Sequence, residues 1–130
     1  VPPDGEDMSN GKFRNTDRAR QLILFDDLCF GNISPTDIDA FIDFQNKIFI
    51  LVEVKHGDSP IPFGQKLALE RICDASTVAG KRCFVLEAHH NTSGDISLGV
   101  LPVTAYYYRG KWRNPKQNKT VRETVEIIIA

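Results

Sequence analysis

The stretch IDAFIDFQNKIFILVEVK, residues 38–55, decides the fold. It alternates about a polar tip, Gln45-Asn46-Lys47, and folding it at Asn46 opposes residues whose numbers sum to 92. One face of that hairpin pairs Ile38 with Val54, Ala40 with Val52, Ile42 with Ile50 and Phe44 with Ile48. Every member is apolar, as a buried sheet face requires. The other face pairs Asp39 with Glu53 and Asp37 with Lys55. A slip of one residue would scramble both faces, so the hydrophobic pattern itself selects the register.

Directly opposed hairpin residues hold their Cβ atoms roughly 4.5–5.5 Å apart. Two carboxylates at that spacing repel unless something positive lies between them. Hard divalent cations take oxygen ligands, and Mg²⁺ commonly uses one or two carboxylates with water and substrate phosphate. Lys55 lies two residues beyond Glu53 and projects from the same face. Two acids, a cation and an ammonium suit hydrolysis of a phosphodiester. A plainer reading has the same side chains solvating an open face. Phe49 and Leu51 share that face, however, so part of it is expected to be covered.

Asp39, followed fourteen residues later by Glu53-x-Lys55, resembles the PD-(D/E)XK nuclease superfamily. Pro35-Thr36-Asp37-Ile38-Asp39 resembles the approach to its first acid. The resemblance implies an α/β fold, a central mixed β-sheet flanked by helices with a restriction-endonuclease-like core. Helices over 15–29 and 64–79 would flank the hairpin. It makes Asp39, Glu53 and the carbonyl of Val54 the ligands of Mg²⁺ or Mn²⁺, and Lys55 the catalytic lysine. Gln65 stands where many members place a glutamine, though it equally suits an ordinary first helical turn. Asp37 competes with Asp39 for the first acid, and Asp39 is preferred because it lies directly opposite Glu53. No glutamate stands between residues 7 and 53 to act as a further ligand from the first helix, whose acidic residues are Asp17, Asp26 and Asp27.

The implied activity is a metal-dependent DNA nuclease of small phage or prokaryotic type, directed by DNA structure rather than base sequence. A junction-resolving enzyme of the Holliday type and a non-catalytic binding module on the same scaffold are the alternatives. DNA is the expected partner, and the resemblance admits a homodimer. A weaker alternative is a hydrolase built on His56, His89 and His90, but no nucleophile motif accompanies them. Adjacent strand residues such as His89 and His90 point to opposite faces.

The chain of 130 residues, 42% hydrophobic and 25% charged, suits one globular domain. Residues 1–12 read as loosely attached. No apolar run approaches the roughly 18 residues of a membrane helix, and no signal peptide is visible. Cys29, Cys73 and Cys83 show no paired spacing, so buried thiols in a reducing, cytoplasmic setting are expected. A net charge of −1 does not itself indicate nucleic acid. Residues 109–122 nevertheless carry six basic side chains and no acid. Lys111, Trp112 and Arg113 are the candidate DNA contacts within that run.

The loop 56–63 leaves the catalytic strand directly and suits a flap. A strand over 82–88 follows the second helix. The order strand, helix, strand predicts a parallel crossover beside the Glu53 strand. Residues 96–108 suit a strand pair or a bent strand broken at Pro102. The tail 120–130 fits either a helix or a strand.

Overall fold

The computed structural model describes residues 22–130. The chain divides into two compact units, Val1–Pro35 and Thr36–Ala130. In the first, the described residues form one 3-10 turn, Asp26–Leu28, and a Phe30↔Ile33 bridge closed by Gly31 at φ +64. The α-helix expected over 15–29 is therefore absent from its described part, 22–29. Its earlier residues, with the loose segment 1–12 and Asp17, lie outside the described residues. Cys29 is exposed, contrary to the expected burial.

The second unit is an α/β fold with a mixed five-stranded sheet in the order β1 to β5. These strands are β1 Ala40–Phe44, β2 Ile48–His56, β3 Arg82–His90, β4 Val103–Tyr108 and β5 Lys111–Arg113. Helix α1, Phe63–Val78, connects β2 to β3, and α2, Val121–Ile129, ends the chain. β1 and β2 form the expected hairpin, with Ala40↔Val52, Ile42↔Ile50 and Phe44↔Ile48 in register. Gln45 and Asn46 both adopt positive φ at its tip, and Lys47 N–H donates to the Phe44 carbonyl at 3.0 Å. β3 runs parallel to β2, as the crossover predicts, while β4 and β5 add antiparallel.

Strand parity sorts the core into two layers. Ile48, Ile50 and Val52 join Phe84, Leu86 and Ala88 under Val121 and Ile128 of α2. Leu51, Cys83, Val85 and Tyr107 face Leu69 and Cys73 of α1. A strand apolar on both faces belongs inside such a sheet. The segment before Pro102 contains a 3-10 turn, Leu98–Val100, in place of a strand. The tail resolves as a helix because Thr120 and Glu123 close a reciprocal capping box. No helix among the described residues is long and apolar enough to cross a membrane.

Ile38 departs from the hairpin pattern. It packs with Leu51 on the α1 side rather than beside Val54. The chain bends at Asp39 and β1 begins only at Ala40, so strand parity does not reach back to residue 38.

Leu69, 1% exposed, fastens α1 to the sheet. Leu69→Ala should cost about 2–5 kcal/mol in urea unfolding. Phe63→Ala, at an 81% exposed position of the same helix, should stay within about 0.5 kcal/mol of wild type.

Candidate active site

Glu53 sits in the middle of β2, between β1 and β3, with only 2% of its surface exposed. Parity turns it toward α1, one position beyond Leu51 on that face. The helix then supplies its partner. Gln65 lies in the first turns of α1, and its Nε2 donates to Glu53 Oε1 at 2.9 Å and to the Asp37 carbonyl at 3.0 Å. Lys55 Nζ donates to Gln65 Oε1 at 3.1 Å and stands 3.3 Å from Glu53 Oε1. The amide orientation follows from donor chemistry. Lysine can only donate, so the amide oxygen must face it and the NH₂ must face the two oxygens.

Asp39 enters from the bend before β1. Its Oδ2 accepts the Val54 N–H at 2.7 Å, fastening the acid to the strand that carries Glu53 and Lys55. Burial raises the Glu53 pKa from an ordinary 4.5 to about 7; the neighbouring Asp39 carboxyl adds to the rise, and Lys55 opposes it. The second carboxyl oxygen, Glu53 Oε2, is buried with no hydrogen-bond donor. A buried oxygen in that state calls for a proton or a cation.

Four expected site residues therefore meet: Asp39, Glu53, Lys55 and Gln65. Asp37 contributes its carbonyl, not a carboxylate contact, to the bracket around Gln65. The donor set suits a hard cation through the orphaned Oε2 and the neighbouring Asp39 carboxylate. Among the described residues, no three His, Cys, Asp or Glu side chains converge as cation ligands. A cation here would draw on two carboxylates and main-chain or solvent oxygen, as Mg²⁺ commonly does.

The loop after β2 is pinned at two points. Gly57 N–H donates to the His90 carbonyl at 2.7 Å, and Ile61 is buried at 6% exposure. Trp112 also faces the α1 side, but as a packed residue. It leans on Tyr107 at 5.5 Å, donates to Glu70 Oε2 at 2.7 Å and carries Lys66 over its ring at 4.8 Å. Its β5 neighbours Lys111 and Arg113 pair with Tyr108 and Tyr106, on the opposite side of the sheet. The basic run is thus split by strand alternation.

A second acid–base pair lies beside the first; the sequence expectations include His89 only within the weaker histidine alternative and omit Glu87. Glu87 and His89 are the register partners of Glu53 and Lys55 on β3. His89 Nε2 lies 2.8 Å from Glu87 Oε2, and its Nδ1–H donates to the Gly57 carbonyl. Burial works against its charge, yet the bonds to Glu87 and Gly57 prevail and raise its pKa. The signal was present as Glu87-x-His89, one strand over from Glu53-x-Lys55. His90 turns to the other face, its ring 5.1 Å from His56.

No family model, curated protein or solved structure matches the chain.

Because the Glu53 pKa is raised by folding, its protonated form contributes stability fully below pH 4.5, and that contribution is lost as pH rises through about 7. Urea unfolding should therefore show weaker stability at pH 8 than at pH 5. Glu53→Gln should remove on the order of 3 kcal/mol of that difference. An unchanged slope in the variant would place the titration elsewhere, on His89 first.

Proposed function

We propose that the chain is a metal-dependent nuclease that hydrolyses DNA phosphodiester bonds, with a site of the PD-(D/E)XK type. The observation that carries this reading is the orphaned Oε2 of Glu53 beside Asp39, with Lys55 and Gln65 closing around the other oxygen. A carboxyl that far from water, with no donor for one oxygen, suits a place where a cation will sit. Asp39, Glu53 and the Val54 carbonyl would hold Mg²⁺ or Mn²⁺. Such an ion supplies Lewis acidity toward a phosphate oxygen and lowers the pKa of a bound water.

The remaining roles belong to the chain itself. Gln65 fixes both Glu53 and Lys55, so the acid and the ammonium keep one relative position through a reaction. Lys55, with its side chain 20% exposed, reaches the mouth of the site and has a further N–H to offer developing negative charge on phosphate. Val54 N–H holds Asp39 in its bent approach. Recognition by DNA shape fits a unit with no separate sequence-reading element. Junction resolution by a homodimer is the narrower form of this reading and rests on the family resemblance.

One observation favours a second reading, a non-catalytic binding module. Glu53 is 2% exposed, a depth that suits an acid serving only as the anchor of the Gln65 bracket.

Linear, single-stranded and branched DNA incubated with Mg²⁺ or Mn²⁺ should be cut, and EDTA should abolish cutting. Asp39→Ala, Glu53→Ala and Lys55→Ala should each lower the rate by at least about a hundred-fold. Intact DNA that is bound tightly would favour the non-catalytic module. Cutting that survives Glu53→Ala would remove the site assignment.

A further inference from the structure

The face of the sheet turned away from Glu53 holds a cavity of about 680 Å³ beside α2. That size falls within the roughly 300–1,000 Å³ of small-ligand sites. Its floor is aromatic. Phe84 and Tyr108 stack on each other with centroids 4.3 Å apart and planes 3° from parallel, with Arg82 over the Phe84 ring at 5.5 Å and Arg109 over the Tyr108 ring at 5.2 Å. Tyr106, two residues along the same strand face, lines the cavity and has no cation or aromatic partner among the described residues. Among the described residues the cavity's charged lining is cationic: Arg82, Arg113, Lys116 and Lys119.

Neutralisation by the described residues is slight. The ion pairs among the described residues are Lys55–Glu53, His89–Glu87 and Arg122–Glu126, none of which reaches the cavity cations. Arg82 gives one N–H to the Ile128 carbonyl at 3.3 Å, and Arg113 gives two to the Tyr108 carbonyl. A guanidinium has five donors, so each keeps others for a ligand. In a chain of net charge −1, four cations without a carboxylate among them select for an anion. The Tyr106 ring beside them suits something flat.

We propose that this cavity binds a nucleotide unit, with its phosphate on the basic rim and its base against Tyr106. Phosphate oxygens meet guanidinium and ammonium donors as charge-assisted bonds, and a base offers the π-face that aromatic floors accept. The unit comes from a free nucleotide or from a segment of a single strand, and the chemistry is common to both. This site lies across the sheet from the carboxylates and does not depend on their being catalytic.

The full chain is titrated by calorimetry with 5′-AMP, with inorganic phosphate and with a short oligothymidylate, all in EDTA so that no strand is cut. Saturable binding of AMP or of the oligomer, tighter than that of phosphate alone, is expected. Lys116→Glu combined with Lys119→Glu should weaken it about ten-fold or more, and added salt should weaken it further. Lys47→Glu, at the exposed hairpin tip, should leave it unchanged. Amide shifts on binding should centre on Arg82, Tyr106 and Tyr108 rather than on Glu53. A tighter oligomer identifies a strand segment as the occupant, and equal affinities identify a free nucleotide. Absence of saturable binding, indifference to the double charge reversal, shifts confined to the Glu53 face, or phosphate matching AMP would each overturn the proposal. Asp39→Ala should retain this binding whether or not it loses cleavage, which keeps the two readings separable.

Discussion

A carboxyl group withdrawn from water in the central strand sets the conditions that the rest of this fold meets. Burying Glu53 costs free energy unless each oxygen finds a partner. Gln65 and Lys55 serve one oxygen, Gln65 from α1 directly after the loop that leaves β2 and Lys55 from β2 itself. Asp39 adds negative charge rather than relief, yet it is held in place by a main-chain N–H of the neighbouring residue. An arrangement that brings a second acid toward an unsatisfied first one works against stability. Such conflicts persist where a site has a use for them.

The same sheet divides its chemistry by parity. On the α1 side, Glu53-x-Lys55 and Glu87-x-His89 stand abreast on parallel strands, so acids and bases form neighbouring rungs. On the α2 side, apolar residues of the same strands build the larger core, and beyond β4 that face opens into the basic, aromatic cavity. The two chemistries are separated by one layer of backbone. Each is supported by its own helix.

Much of this was legible in the chain because period-two alternation is a strong signal when two strands adjoin. The register of β1 with β2 followed from it, and the parallel placement of β3 followed from the strand, helix, strand order in which α1 stands. Alternation failed where the strand itself stopped. At Asp39 the backbone bends, so Ile38 went to the other face while Asp39 still reached the Val54 N–H. Trp112 was drawn to Tyr107 and Glu70 because a half-buried indole needs both cover and an acceptor. The helical tail could have been read from Thr120-x-x-Glu123, a capping signature that outweighs the apolar run at its end. Cys29 and residues 22–29 had no comparable pattern to constrain them beyond a short apolar stretch.

Strands that adjoin in space also follow one another along the chain, from β1 through β5. Three of the four pairings are antiparallel neighbours joined without a helix crossover, so little chain entropy is lost in forming them. The β2–β3 pairing instead spans the α1 crossover, and Gln65 travels on that helix. The bend and hairpin bring Asp39, Glu53 and Lys55 together by themselves, so the glutamine that brackets them is supplied by the one joint of the sheet that closes through a helix.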